Sequence, residues 1–128
     1  MLPSHRAPDF SVLPSEDTDS INVRIAGNAA TSKAQKVLED FLQALHDEVK
    51  RLHIKQVGID IRDLEFMNSC CLKDFVYWLS TVRDSPAPER YKITFYANPV
   101  HHWQKRSLHS LTCFATEFVT VQPPTGPH

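Results

Sequence analysis

The sequence has few cysteines, few glycines and almost no net charge. Its 128 residues include three cysteines, two of them adjacent, and 14 basic residues against 15 acidic ones. So few cysteines do not make a disulfide framework, which favours a reducing, cytoplasmic compartment. The balance of charges argues against electrostatic binding to nucleic acid or to an anionic membrane surface.

Several motifs that would signal a membrane protein or an enzyme are also missing. No apolar run approaches the roughly 20 residues that span a bilayer, so we expect no membrane insertion. The N-terminus lacks the apolar core of a signal peptide. No glycine-rich phosphate loop, Cys-x-x-Cys pair or paired-carboxylate motif is present. We therefore predict no metal site, no cofactor and no catalytic residues.

The length of the chain predicts a single domain. Residues 1–9 contain two prolines and little apolar material, so we expect a flexible N-terminus there. Residues 10–121 carry the periodic patterns and form the predicted domain. Residues 122–128 contain three prolines and a glycine, which predicts a disordered tail.

Alternating apolar and polar residues predict strands, and apolar residues spaced three and four apart predict helices. The first strand is expected to end at Pro14, and the third helix to open at Asn98-Pro99 with an apolar face from Val100 to Phe114. The predicted strands cover residues 10–13, 21–26, 56–61, 93–97 and 118–121, and the first two helices cover about residues 31–53 and 69–82.

The predicted order is β-β-α-β-α-β-α-β. Helices between strands imply parallel crossovers, and the first two strands suit a hairpin. Polar residues such as Asn22, Arg24 and Asp60 occupy alternate positions of the strands, whereas a doubly wound sheet buries both faces. We therefore predict an α/β fold with a mixed, mostly parallel sheet and helices mainly on one face.

Residues 57–79 organise the rest of the chain. A short alternating strand leads through a tight loop to an amphipathic helix, whose apolar stripe includes Leu72, Phe75 and Leu79. Asn68 and Ser69 stand where that helix begins, and both residue types are good N-caps. On local chemistry alone, either residue could serve only as a cap.

The motif Asp60-Ile-Arg-Asp-Leu-Glu-Phe-Met-Asn-Ser-Cys-Cys-Leu72 resembles the signature of STAS domains, the anti-sigma-factor antagonist family. In that family an aspartate-containing turn leads to Phe-Ile/Met-Asp-Ser-Ser-Gly-Leu and a helix. The resemblance extends over about residues 21–121 through the order of elements. Three positions depart from the family pattern: Asn68 replaces aspartate, Cys70 the second serine and Cys71 the glycine.

The resemblance implies a non-enzymatic regulatory protein with Ser69 as its phosphorylation site. The implied partners are a histidine-kinase-like ATP-binding serine kinase of the anti-sigma type and a serine phosphatase. A phosphate at a helix N-terminus would meet unpaired N–H groups and the positive end of the macrodipole. The implied partner-binding residues are Asp63, Asn68, Ser69, Cys70 and Lys73, with Gly27 and Asn28 from a neighbouring strand.

Two alternatives stay open. Cys70 and Cys71 lie in the first turn of the helix, a position that lowers a thiol pKa and would suit a cysteine-based enzyme or redox sensor. Small side chains packed under the loop would explain the same two residues. The third interpretation is a STAS-like scaffold that is not phosphorylated and forms a homodimer through its open sheet face.

Histidines and tryptophans recur on the predicted helices. His46 and His53 are seven residues apart, as are His102 and His109, and two helical turns are too far for one metal ion. We interpret these four as solvated histidines on helix surfaces. Trp78 and Trp103 are expected to pack in the core or at an interface.

Overall fold

The computed structural model describes residue 2 and residues 4–122. Within them the chain forms seven strands and three α-helices, with a short 3-10 turn at Ala87–Glu89. In chain order they are β1 (His5–Arg6), β2 (Phe10–Glu16), β3 (Ser20–Ala29), α1 (Ser32–Leu52), β4 (Gln56–Asp60), β5 (Leu64–Met67), α2 (Ser69–Asp84), β6 (Lys92–Tyr96), α3 (His102–Phe114) and β7 (Val119–Gln122).

The strands form one mixed sheet in the order β1-β2-β3-β4-β6-β7, and β5 pairs with β3 beyond the end of β4. β1, β2 and β3 are antiparallel neighbours, whereas β3–β4, β4–β6 and β6–β7 are parallel. The predicted hairpin and parallel crossovers are therefore confirmed, as is an α/β class with a mixed sheet.

The sheet buries one face and leaves the other open. In β3, Ile21, Val23 and Ile25 are buried while Asn22 and Arg24 between them are exposed. The buried face joins one continuous apolar core with residues of all three helices. This is the distribution that the alternation in the strands predicted.

The first long helix begins and ends where its caps predict. The Thr31 hydroxyl accepts a hydrogen bond from Ala34 N at 3.1 Å. His53 ends the helix in the left-handed region, with φ 57°, and Ile54 N then donates to Val49 O at 3.0 Å. No helix among the described residues is long and apolar enough to cross a membrane.

The N-terminal part of the sheet is larger than predicted. β2 continues through Pro14 to Glu16, because β1 pairs only with Ser11 and Val12 and leaves Pro14 on an open edge that needs no N–H donor. β1 itself lies in the segment 1–9 that was expected to be flexible, and Leu2 is buried. Of the predicted tail 122–128, Gln122 ends β7 and the rest lies outside the described residues.

Two predictions in the second half of the chain are wrong. β5 lies within the segment predicted to be a loop. The third helix starts at His102 because the Asn98 side chain accepts from Val100 N, and Asn98 O accepts from His101 N, in a turn that competes with the helix. Val100 is 75% exposed, and the buried side of α3 instead carries Gln104, Leu108 and Leu111.

Candidate functional site

β5 brings the motif of residues 60–72 alongside the end of β3. β3 pairs with β4 as far as Arg24 opposite Asp60, and then with β5 from Gly27 opposite Leu64. Gly27 N donates to Asp63 O at 3.0 Å, and Asn28 lies opposite Phe66. Gly27 and Asn28 therefore lie beside the segment that leads to Ser69, as predicted.

Gly27 marks the irregularity where β3 changes partner. Its φ is +99°, a conformation that L side chains rarely adopt, and a Cβ here would overlap the carbonyl oxygen of Asp9. Asn28 N donates to the same Asp9 oxygen at 2.7 Å. Glycine is thus required by both the conformation and the close approach of the segment before β2.

Asn68 joins β3 to the start of α2 with both ends of its amide. Its Oδ1 accepts from Cys71 N at 2.9 Å, which makes it the N-cap, and its Nδ2 donates to Ala30 O at 3.1 Å. Its backbone N donates to Ala29 O at 3.0 Å. An ionised aspartate could supply the cap but not the bond to Ala30, because it has no donor. This gives a physical reason for asparagine at this position.

Ser69 is the first residue of α2 and is exposed. Cys70 beside it and Lys73 one turn later are exposed as well. Residues four apart lie on one side of a helix, so Ser69 and Lys73 face the same way. The structure therefore brings four of the predicted residues, Asn68, Ser69, Cys70 and Lys73, together at the start of α2.

Asp63 lies apart from this group. It stands before β5 while Ser69 stands after it, and a four-residue strand spans about 13 Å. Asp63 forms an ion pair with Arg24 on the open face of the sheet. The prediction placed Asp63 and Ser69 in one loop, and the strand between them separates the two.

The open face carries a second ion pair close to the first. Arg62 binds Asp60 through two side-chain hydrogen bonds, at 2.8 and 3.0 Å. Burial acts to raise the pKa of Asp60, but the bonds from the Arg62 side chain and backbone outweigh it and hold the pKa below its usual range. Arg24 and Arg62 thus each have a carboxylate partner within this short segment.

The two adjacent cysteines differ in environment. Cys71 is fully buried, and burial, reinforced by the negative charge of Asp74, raises the pKa of its thiol to about 11. A thiol with that pKa is almost wholly protonated at neutral pH, so Cys71 does not supply a thiolate nucleophile. Cys70 is exposed, as is Cys113 on α3.

Two residues of α3 hold β5 in place, and the sequence did not point to either role. Gln104 is 1% exposed; its Nε2 donates to Ile61 O at 2.7 Å and to Leu64 O at 3.0 Å, and its Oε1 accepts from Asn98 N at 2.8 Å. Trp103 Nε1 donates to Glu65 O at 2.8 Å. The available signal was a glutamine four residues before Leu108 on the buried stripe.

The interpretation of His46 as a solvated histidine is wrong. His46 is only 6% exposed, and its Nδ1 lies 2.8 Å from the Tyr91 hydroxyl, which also accepts from Trp78 Nε1 at 2.8 Å. Burial and the charge of Lys50 lower the pKa of His46. His53, His102 and His109 are exposed, and no group of three potential metal ligands occurs among the described residues.

No family model matches this chain, and a search of characterised proteins found no relative. The resemblance of residues 60–72 to the STAS signature stays a hypothesis, and the geometry around Ser69 is what bears on it.

Proposed function

We propose that the chain is a non-enzymatic regulatory protein of the STAS type, resembling an anti-sigma-factor antagonist, in which phosphorylation of Ser69 switches partner binding. The observation that carries the proposal is an exposed serine at the first position of α2, directly after an N-cap that is tied to β3. A kinase needs an accessible hydroxyl, and the cap holds the backbone that carries this hydroxyl in a defined position.

The start of α2 suits a phosphate electrostatically. The cap uses the N–H of Cys71, and Leu72 N donates to Asn68 O, so the N–H groups of Ser69 and Cys70 lie ahead of the first intrahelical bond. A phosphoserine carries about −1.5 to −2 charges at pH 7, which these donors and the helix dipole favour. Phosphorylation would therefore change the surface without unfolding the site.

The proposed partner surface surrounds Ser69. Cys70 and Lys73 extend it along α2, and Asn28 and Phe66 extend it across the paired ends of β3 and β5. Phe66 is 44% exposed, and it supplies apolar contact area. A phosphate at Ser69 would stand within this contact zone and weaken binding through its charge and its bound water.

The implied partners are a histidine-kinase-like ATP-binding serine kinase of the anti-sigma type and a serine phosphatase, and the implied compartment is the cytoplasm. Cysteine chemistry at Cys71 is the weaker candidate, because this side chain is buried and burial raises the pKa of its thiol; a cysteine-based sensor or enzyme would use the exposed Cys70. A STAS-like scaffold that is not phosphorylated and dimerises through the open sheet face is the other alternative, and it predicts no phosphate on Ser69.

The test is to express the chain and its Ser69→Ala variant in the native cell and to map phosphorylated peptides by mass spectrometry. Ser32→Ala is the matched control, since Ser32 is also an exposed first residue of a helix after a capping residue. We expect one phosphate on Ser69 in the unmodified chain and in Ser32→Ala, and none in Ser69→Ala. Equal phosphorylation of Ser69→Ala would contradict the proposal.

A further inference from the structure

A groove of about 650 Å³ lies between α1 and α2, outside the proposed switch surface except at Lys73. Its rim is open to solvent, because Asp40, Gln43 and Tyr77 are exposed, and Tyr77 is 70% exposed. Its floor includes His46 and Trp78, which are both buried. Two polar groups in this groove could bind a ligand: a ring nitrogen of His46 that no described residue contacts, and the carboxylate of Asp74, which has no cation partner.

The first is the second ring nitrogen of His46. Trp78 Nε1–H donates to the Tyr91 oxygen, and among the described residues His46 Nδ1 is the one acceptor beside the Tyr91 proton. The Tyr91 hydroxyl therefore donates to His46 Nδ1, which places the proton of His46 on Nε2. No described residue accepts from Nε2–H. No side-chain nitrogen among the described residues is both fully buried and unpartnered, so Nε2 keeps some exposure, and the groove is a cavity that His46 lines.

The second is the carboxylate of Asp74. Both of its oxygens accept from the neutral Gln35 amide, at 3.0 and 3.1 Å, and no lysine or arginine among the described residues comes within 4 Å of it. Burial raises the pKa of Asp74, which is the expected result for a carboxylate that lacks a cation.

The rest of the groove is nearly balanced in charge, with a small excess of carboxylates. Glu39 and Asp40 line it, and Lys36 pairs with both, at 3.3 and 3.2 Å. Together with Asp74 and Lys73, the region holds three carboxylates against two lysines. A cation is therefore favoured over an anion, and the negative charge with the least compensation is that of Asp74.

We propose that this groove binds a small aromatic amine. The ammonium group would pair with Asp74, the ring would lie against the exposed Tyr77 above the buried Trp78, and an acceptor atom at the far end would take the hydrogen bond from His46 Nε2. Asp74 and Trp78 are four residues apart on α2, so both face the groove that they line. The site is independent of phosphorylation at Ser69.

The probe is tyramine, titrated into the full-length protein while the NMR signal of the Trp78 indole N–H is followed. Two analogues separate the contacts: 3-(4-hydroxyphenyl)propionate replaces the ammonium with a carboxylate, and phenethylamine lacks the phenolic oxygen. We expect saturable binding of tyramine, weaker binding of phenethylamine and no binding of the propionate.

Asp74→Asn tests the carboxylate, because asparagine keeps an oxygen that accepts from Gln35. Its affinity for tyramine should fall about tenfold. The control Asp84→Asn changes an exposed carboxylate at the end of the same helix, outside the groove, and should bind as the original chain does. No saturable shift with tyramine, equal binding of the propionate, or unchanged affinity in Asp74→Asn would overturn the proposal.

Discussion

Asn68 illustrates how a single side chain sets the start of α2. Its side-chain oxygen caps the helix, and its side-chain NH₂ group donates to the Ala30 carbonyl. The start of α2, which follows β5, is therefore hydrogen-bonded to the end of β3 through this one residue. Ser69 follows immediately and has no comparable task. At this scale the structural and the proposed functional roles fall on two adjacent residues, so they can be separated by mutation.

The three thiols should react at two different rates. Cys70 and Cys113 are exposed, whereas Cys71 is buried and its pKa is raised to about 11. We expect a thiol reagent such as Ellman's reagent to modify two thiols rapidly in the native protein at pH 7.5, and the third only after denaturation. Peptide mapping would identify the slow thiol, and rapid modification of Cys71 would show that its pocket is open.

At the scale of elements, α3 acts as a brace for β5. Trp103 and Gln104 hydrogen-bond to the carbonyls of Ile61, Leu64 and Glu65, so the segment leading to Ser69 is held from outside the sheet. β5 pairs with β3 on its other side. The position of the proposed switch surface thus depends on α3, which begins at His102, far beyond Ser69 in the chain.

Gln104→Leu should remove this brace while keeping a side chain of similar size. The part-buried Asn98 N–H and the buried Leu64 carbonyl would lose their bonds to Gln104, so the free energy of unfolding should fall by about 1–3 kcal/mol. Urea unfolding measures the loss, and hydrogen exchange should show faster opening of residues 61–67. The matched control is Gln43→Leu on the exposed side of α1, which should change stability by no more than about 0.5 kcal/mol. Equal effects of both variants would contradict the brace.

The elements with a strong local pattern were predictable from the sequence. α1 has an apolar stripe and a capping threonine, and its bounds were predicted closely. β5 was not, because Glu65 and Phe66 are both exposed and its pairing to β3 depends on the irregularity at Gly27. The start of α3 was missed because the Asn98 side chain forms a turn that competes with the helix.

The candidate site was also predictable only in part. The helix start at Asn68 and Ser69 follows from capping chemistry, and the structure agrees with it. The roles of Gln104 and of His46 depend on partners 40 and 45 residues away in the chain, and periodicity carries no information about such partners. A polar residue within a buried stripe is the one local sign of these roles.

Across the molecule, a buried polar network joins α1, α2 and the residue just before β6. His46, Tyr91 and Trp78 each come from a different one of these segments, and they are linked through the Tyr91 hydroxyl. Tyr91 is 2% exposed, and burial raises its pKa well above the usual range, so the hydroxyl stays protonated and available as a donor. The packing of the helices on the sheet is therefore coupled to the protonation of His46.

Stability should fall on mild acidification because of His46. Its pKa in the folded state lies below about 6.5, the value for an unfolded chain, so the unfolded state binds more protons as the pH drops below 6.5. The stability that the neutral, buried His46 contributes is fully present above that pH and is lost as the pH falls below it. We expect the difference in free energy of unfolding between the original chain and His46→Asn to shrink from pH 7.5 to pH 5. A difference that stays constant would show that His46 does not titrate with unfolding.

The affinity of the partner kinase for two forms of the same protein tests the proposed switch at Ser69. The chain would be prepared unmodified and with phosphoserine at position 69, and both would be titrated against the kinase by calorimetry without ATP. Phosphorylation should weaken binding by about 5- to 150-fold, the range of typical regulatory couplings, while Ser69→Ala should bind as the unmodified chain does. Equal affinity of the phosphorylated and unmodified forms would contradict the proposed switch.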